Sequence, residues 1–371
     1  MQQRVVVVGG GYGGVAVASA LQDDAEVTLV EPKDAFVHAV ATLRAAVDPA
    51  WQDRVFFGYD TLLRRGRVVR DWARLVSPGV VHLSRSASLE ADHVVLATGT
   101  GYPFPAKFLE DDTVVARARL ERMREGLRQC ERVMLIGAGP VGLELAGELT
   151  SAFPDLRVSI VEQEDDILPL GQYLPELRDA VRAQLAERRI DLVLGAPLGY
   201  LPPFDVGTYA PFTVETTEGE AVTAQMWFRC YGSRPMTGYL DTALADLRHY
   251  DGTLPVTEHL QVRGQDAVWA VGDITDVRES KRATAARDHA AVVVANIRDA
   301  IAGRAPSATY TAAPERIVLP LGPDGGASQV EQDGRRVILG PEETSRIKGA
   351  DLFSGATAEL FTGGTPHDRG E

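Results

Sequence analysis

Cysteine is nearly missing from this chain: in 371 residues only Cys130 and Cys230 occur, and they form no C-x-x-C pair. That excludes a close-spaced redox disulfide as an electron relay, and because no His/Cys cluster has zinc spacing, no metal is expected. Long apolar runs are missing too; none approaches the roughly 18 to 20 residues that span a bilayer. An apolar strand pattern begins within a few residues of Met1, which leaves no room for a signal peptide, and Gln2 stands where myristoylation requires glycine. The expectation is a cytoplasmic protein with no stable membrane anchor. Positive charge is short as well: the net charge is −14, which argues against nucleic acid as a partner, because neutralising phosphates needs a basic surface. Lysine is scarce within that small basic complement, with only Lys33, Lys107, Lys281 and Lys348 among 38 basic residues.

What the chain does have is glycine at fixed places. At 45% hydrophobic and 24% charged its composition is that of an ordinary globular protein, and its length suits two domains with an appendage. The apolar run Val133-Met134-Leu135-Ile136 suits a buried parallel strand and ends in Gly137-Ala138-Gly139-Pro140-Val141-Gly142, a G-x-G-x-x-G loop. A helical stretch over 143–150 and a strand over 156–161 that ends on Glu162 complete the unit. Glycines there permit a tight turn and close approach of backbone N–H groups to a pyrophosphate. The helix N-terminus favours that negative charge, and a carboxylate at the next strand end can hold a ribose hydroxyl. Glu162 favours NADH over NADPH, since a carboxylate repels a 2′-phosphate and neither Gln163 nor Glu164 offsets it. A second copy opens the chain: a strand over 4–8, the loop Gly9-Gly10-Gly11-Tyr12-Gly13-Gly14, an Ala-rich helix to Leu21, and a strand over 27–30 ending on Glu31. One such loop is weak evidence; two in full strand, helix, strand context imply a protein that holds two dinucleotides.

Between and beyond the loops the pattern is less regular. Residues 39–47 read as a helix carrying Arg44, which is either a solvated charge or a contact to the first pyrophosphate. Residues 67–76, 80–83 and 87–91 alternate apolar and polar and suggest a small antiparallel meander over the adenosine. The strand from His93 ends in Ala97-Thr98-Gly99, small residues that let the backbone pass close to a cofactor. Residues 101–105 read as a linker, 113–130 and 175–189 as helices, with strands near Leu192, Phe212 and Trp227. Val268-Trp269-Ala270-Val271-Gly272-Asp273 is an apolar strand that sets a carboxylate at the carboxyl end of a sheet, where ligands gather; a helix-capping Asp273 is the plainer alternative. Residues 281–302 read as a long helix with His289, either a packed side chain or a proton donor. Then come an extended stretch over 310–321, a turn over 322–326, a strand over 335–339, a short element over 350–360 and a disordered tail from 362. The expected fold class is α/β, with two Rossmann-like dinucleotide-binding domains. The second, 108–235, is inserted between the two parts of the first, 1–107 and 236–303, and a small C-terminal α+β region covers 304–371.

Taken in order, the two glycine loops, the Ala-Thr-Gly strand and the Gly-Asp strand resemble the two-dinucleotide-binding flavoprotein superfamily of pyridine-nucleotide-dependent reductases, over nearly the whole chain. The resemblance implies that the first loop, with Gly9, Gly10, Gly11, Gly13, Gly14 and Glu31, binds FAD. It implies that Gly137, Gly139, Gly142 and Glu162 bind NAD(P)H, and that Asp273, after Gly272, contacts the flavin's ribityl and pyrophosphate region. Local strings narrow the match. Val30-Glu31-Pro32-Lys33-Asp34-Ala35-Phe36 through Thr42-Leu43-Arg44-Ala45, the run from Ala97 to Lys107, Val256 to Val262, Leu321 to Gly326 and Lys348 to Phe353 look like the apoptosis-inducing-factor-2 family, also called ferroptosis suppressor proteins. Members of that family are FAD-containing NAD(P)H:quinone oxidoreductases. By this resemblance Arg44 contacts FAD, Val68 lies against its adenosine end and Glu144 sits by the nicotinamide.

All the lysines but Lys281 fall in these strings. Lys33 and Lys107 read as structural, whereas Lys281 and Lys348 suit the stabilisation of negative charge on a reduced flavin or quinone. The catalytic candidates are thus Glu144, Lys281, Lys348 and His289. The expected reaction passes hydride from NADH to FAD and then electrons to a small acceptor of quinone type. A ferredoxin-type reductase, a flavoprotein whose redox state controls a partner, and an enzyme of specialised metabolism acting on a small aromatic substrate are the alternatives. Without the myristoylation glycine of the animal members, contact with a membrane surface is expected to be transient.

Overall fold

The computed structural model describes residues 2–361, so the tail expected from 362 lies outside the described residues. The chain opens with β1 (Arg4–Val8), α1 (Tyr12–Leu21) and β2 (Glu26–Val30). Their valine and leucine runs are buried on both faces and pair in parallel, Val6 opposite Thr28 and Val8 opposite Val30. A hairpin of β3 (Ala35–Val37) and β4 (Phe56–Gly58) flanks α2 (Thr42–Val47). β5 (Arg67–Val69) joins the parallel sheet beside β2, and β6 (Ala73–Ser77), β7 (Val80–Leu83) and β8 (Leu89–Glu90) form an antiparallel meander. The alternation over 67–76 predicts a single meander strand. The structure divides it, because the buried Asp71 carboxylate accepts from the N–H groups of Trp72, Arg85 and Ser86 and turns the chain there.

β9 (His93–Leu96) returns to the sheet beside β1. After β10 (Thr100–Gly101) and α3 (Thr113–Leu127) the chain builds a second parallel sheet from β11 (Arg132–Ile136), α4 (Pro140–Ala152), β12 (Arg157–Val161), α5 (Pro175–Glu187) and β13 (Asp191–Val193). The hairpin β14 (Phe212–Glu215) and β15 (Ala221–Ala224) precedes its last strand, β16 (Met226–Arg229), and the strand order is β13-β12-β11-β16. Alternate residues of β11 enter different cores: Val133 and Leu135 pack with Leu143, Leu177 and Val181 of the helices, while Met134 and Ile136 pack with Val214 and Val222 of the hairpin.

The returning strand β17 (Arg234–Pro235) pairs with β10, so the outgoing and incoming connections between the sheets make one short ribbon. Past the helical turn α6 (Thr242–Ala245), β18 (Val268–Ala270) completes the first sheet in the order β18-β9-β1-β2-β5, and α7 (Ala283–Ile301) lies along α1. Contact there is close, since a Cβ on Gly13 would stand 3.2 Å from the Ala286 carbonyl oxygen.

The C-terminal region joins the two sheets. Strands β19 (Ile317–Leu321), β20 (Gly325–Gln332) and β21 (Arg335–Leu339) pair antiparallel and pack on α4 and α5. A Cβ on Gly147 would stand 2.4 Å from Leu321 Cα, and the Gln184 amide accepts from Gly326 N–H at 2.6 Å while donating to its carbonyl at 2.8 Å. After α8 (Pro341–Thr344), the helix α9 (Ser354–Phe361) reaches back to the first sheet's hairpin, where Phe361 packs on Phe36 and Phe57 with ring centroids 5.0 and 5.4 Å away. The short element expected over 350–360 is this helix.

Candidate functional site

Both glycine loops open onto one cleft of about 2830 Å³ that runs between the two sheets and the C-terminal region. In each loop the first glycine is in the left-handed region, φ +105° at Gly9 and +109° at Gly137. The N–H of each donates to the end of the following strand, Gly9 to Val30 O at 2.9 Å and Gly137 to Val161 O at 2.8 Å. The last glycine packs on the first: a Cβ would fall 1.8 Å from Gly9 O at Gly14 and 2.0 Å from Gly137 O at Gly142. Gly11 and Gly139, the N-caps of α1 and α4, face open space, and no side chain caps either helix. Two helix N-termini thus present backbone donors and positive dipole ends at the cleft.

The strand-end carboxylates are used alike. Glu31 accepts from Gly10 N–H at 2.6 Å and Lys33 N–H at 3.0 Å; Glu162 accepts from Ala138 N–H at 2.7 Å and Glu164 N–H at 3.1 Å. Each clamps its loop to its strand, and the lone pairs left over face a cleft that both residues line. Burial pushes the Glu31 carboxyl above its ordinary pKa, and the N–H groups of Gly10 and Lys33 oppose that shift.

The ends of β9 and β18 form the floor. Thr98, Gly99, Gly272 and Asp273 all line the cleft. Asp273 does not cap α7, whose N-cap is Arg282; its Oδ2 accepts instead from Thr100 Oγ1 at 2.8 Å and stands 3.6 Å from Lys107 Nζ. Glu144 and Lys348, 204 residues apart, meet at the wall, with Nζ donating to Oε1 at 2.8 Å and both side chains about 15% exposed. Lys281 lines the cleft too, but its ammonium donates to Thr275 O at 2.8 Å and Val277 O at 3.0 Å, bracing the loop after Asp273.

Three expected residues lie elsewhere. Arg44 is no phosphate contact in this arrangement: its guanidinium forms a two-pronged bond to Glu148 at 2.6 and 2.8 Å, donates to Gly349 O at 2.8 Å, and is 6% exposed. It ties α2, α4 and the C-terminal region together, and removal of one partner from such a buried pair costs about 3–5 kcal/mol. His289 is buried away from the cleft, its Nδ1 accepting from Gly272 N–H at 3.0 Å and its Nε2 bonded to Glu279 at 2.8 Å, so both nitrogens are occupied and it is no proton donor to an acceptor. Val68 packs in the first sheet opposite Leu29 and does not line the cleft.

Lys33 and Lys107 read as structural in the sequence, yet both line the cleft, so all four lysines do. Arg287 carries no signal in the sequence, yet it lines the cleft with its guanidinium 5.3 Å from the Tyr12 ring centroid at the first loop. Neither cysteine is bonded to another, and burial pushes the thiol pKa values up, to about 11 for Cys130 and about 12 for Cys230. Among the described residues no group of His, Cys, Asp and Glu is placed to hold a metal ion, and no helix is long and apolar enough to cross a membrane.

A family model described as pyridine nucleotide-disulphide oxidoreductase matches residues 3–290. The ferroptosis suppressor protein 1 of Taeniopygia guttata is 32% identical over 88% of this chain and 88% of its own, and that of Homo sapiens is 31% identical over the same shares. Among solved structures, the sulfide:quinone oxidoreductase of the hyperthermophilic bacterium Aquifex aeolicus superposes with a TM-score of 0.76 at 18% identity, over 98% of this chain and 92% of that one. That likeness concerns the fold: mixed α/β with parallel sheets.

Proposed function

The chain belongs to the pyridine nucleotide-disulphide oxidoreductase family, on its ferroptosis-suppressor branch, and from that premise we propose that it is an FAD-dependent NADH:quinone oxidoreductase of the cytoplasm. The word disulphide in the family's description has no counterpart in a cysteine pair here. One observation carries the reading: the same clamp of glycine loop, helix N-terminus and strand-end carboxylate occurs twice and opens on a shared cleft. In this reading the chain has two Rossmann-like domains, with 108–235 inserted into a first domain made of 1–107 and 236–303, and 304–371 as a C-terminal region.

The residues present suit both dinucleotides. The uncapped N-terminus of α1 with Gly9, Gly10, Gly11 and Gly13 would hold the FAD pyrophosphate, Glu31 a ribose, and Thr98, Gly99, Gly272 and Asp273 the flavin end. Gly137, Gly139 and the N-terminus of α4 would hold the NADH pyrophosphate, with Glu162 on its ribose. Glu162, Gln163 and Glu164 line that end of the cleft, and the carboxylates of Glu162 and Glu164 disfavour the extra phosphate of NADPH. The flavin, when bound, supplies the two-electron chemistry that links a nicotinamide to a second acceptor. The protein's part is orientation and charge: the Glu144 and Lys348 pair sets an oriented carboxylate and ammonium at the wall where the two halves face each other, and Lys281 adds positive charge. The acceptor is a small quinone.

An absorbance spectrum of the purified protein, anaerobic titration with NADH and NADPH, and reoxidation by a quinone series test this. Flavin bands bleached by NADH and restored by quinone are expected. Protein that takes up no flavin would sink the assignment, and faster reduction by NADPH would overturn the nucleotide preference.

A further inference from the structure

Lysine makes up four of the chain's 38 basic residues, and all four line the one cleft. Each ammonium bridges two protein acceptors, at least one of them a backbone carbonyl: Phe108 and Glu110 for Lys33, Thr275 and Val277 for Lys281, Val318 with Glu144 for Lys348. A tetrahedral ammonium can hold two acceptors and still aim a third N–H elsewhere, which the planar guanidinium fork cannot do in the same space.

Lys107 is the member of this set with a direct line to the floor of the cleft. Its Nζ donates to Thr100 O at 2.8 Å and to Thr100 Oγ1 at 2.7 Å; that hydroxyl in turn donates to Asp273 Oδ2 at 2.8 Å. The three groups form a directional chain, ammonium to hydroxyl to carboxylate, in which each bond polarises the next. Asp273 Oδ2 is thereby fixed, while Oδ1 has no hydrogen-bond partner among the described residues and is left for whatever occupies the cleft. Thr100 sits on the β10–β17 ribbon between the sheets, so the chain also ties that ribbon to the end of β18. Burial lowers the Lys107 pKa, and the Asp273 charge opposes it.

We propose that Lys107 is a positioning residue of the flavin pocket, which orients Asp273 through Thr100 and whose charge biases the pocket toward the reduced cofactor. The proposal rests on the reading of the first half-site as the FAD site. Hydride transfer from NADH breaks one C–H bond and carries a proton with two electrons, so the acceptor ring gains one negative charge and NAD⁺ leaves with one positive. A fixed ammonium at the floor of a partly water-excluded cleft favours the state so charged.

The test compares parent holoprotein with Lys107→Met, Lys107→Arg and Thr100→Val by dye-equilibration potentiometry, with flavin release and thermal melting followed in parallel. Lys107→Met is expected to disfavour the reduced over the oxidised cofactor about tenfold, which for a two-electron couple is a shift of about 30 mV to more negative potential. Thr100→Val should shift it in the same direction by less. Lys107→Arg should keep the potential near the parent's while holding flavin several-fold less tightly, because charge survives but the paired geometry does not. Equal potentials in parent and Lys107→Met overturn the proposal; if that variant sheds its flavin, equal potentials in parent and Thr100→Val do so. A purely structural lysine would lower flavin retention or melting temperature and leave the potential of the retained flavin unmoved. Parent protein that binds no flavin would instead defeat the cofactor reading itself, a separate result read before any variant is made.

Discussion

The two glycine loops share a backbone and differ in what surrounds it. Their first glycines match within a few degrees of φ, their last glycines pack on the same carbonyl, and their strand-end acids accept from the same two backbone positions. The second loop position separates them: Gly10 lies under the Tyr59 hydroxyl, which donates to its carbonyl at 2.8 Å, whereas Ala138 carries a side chain there. The covering elements also differ, since α1 lies on α7 and its end of the cleft is closed by α9, whereas α4 lies on β19. A repeated motif therefore reports the chemistry common to two ligands, and the departures from it report which neighbours each half has acquired.

The sharpest way to break the equivalence is at the glycines that are common to both. Gly14→Ala and Gly142→Ala each place a methyl within about 2 Å of a backbone carbonyl that cannot move without opening its loop. Overpacking of this kind costs about 3 kcal/mol, a loss of the order of 100-fold in affinity for the ligand of that loop. Gly14→Ala should purify without flavin, while Gly142→Ala should keep its yellow colour yet need roughly 100-fold more NADH to bleach it. Flavin spectra and NADH titration of the two proteins check this. If Gly142→Ala lost flavin as readily as Gly14→Ala, the assignment of one ligand to each loop would fail.

How much of this was legible beforehand follows the same division. The loops, the two strand-end acids and the Gly-Asp strand were readable because backbone geometry dictates residue type at fixed local spacing. Arg44 was not, because its partners Glu148 and Gly349 lie 104 and 305 residues away, and a helix arginine looks the same in sequence whether it meets a phosphate or a carboxylate. His289 is the same case: its role depends on Gly272 and Glu279 converging on it in space. Lys107 reads as structural because the sequence shows its rarity but not the Asp273 carboxylate beyond Thr100. The strand at 67–69 reads as part of the meander since nothing local reveals that Asp71 ends it.

The covering elements supply the second contrast, and it depends on pH. His38 is fully buried between the first loop and the C-terminal region, accepting from the Tyr12 hydroxyl at 2.8 Å and donating through Nε2 to Leu352 O at 2.7 Å. Burial pushes its pKa down from 6.5 to about 4. The folded chain thus binds fewer protons at this site than the unfolded chain between those values, so the stability it contributes is present above pH 6.5 and is lost as the pH falls to about 4. At 1.36 kcal/mol per unit the loss amounts to roughly 3 kcal/mol. Melting temperatures of parent and His38→Gln across that range check it: the variant should be less stable at pH 7 and show a flatter decline toward pH 4. Parallel slopes would mean that His38 does not link α9 docking to pH. Among the described residues the second half has no such histidine at its cover, so the NADH concentration needed to bleach the retained flavin should change less across that pH range than the melting temperature does.

The smallest effect, and the most specific, concerns the second loop position itself. If Gly10 is glycine because Tyr59 stands over it, a Cβ there meets the phenol oxygen at 2.5 Å and Glu31 Cγ at 2.9 Å, and both must give way. Gly10→Ala should then weaken flavin binding about tenfold through displacement of the Tyr59 and Glu31 clamps, a cost of ~1.4 kcal/mol. Ala138→Gly relieves no contact and frees one residue of backbone, so NADH binding should fall by no more than about threefold. Tyr59→Ala in the Gly10→Ala background separates cause from coincidence. Should the phenol be the constraint, the double variant binds flavin more tightly than the sum of the two single losses allows, a coupling of about 1 kcal/mol in a double-mutant cycle. Strict additivity would show instead that the phenol is not what keeps this position glycine.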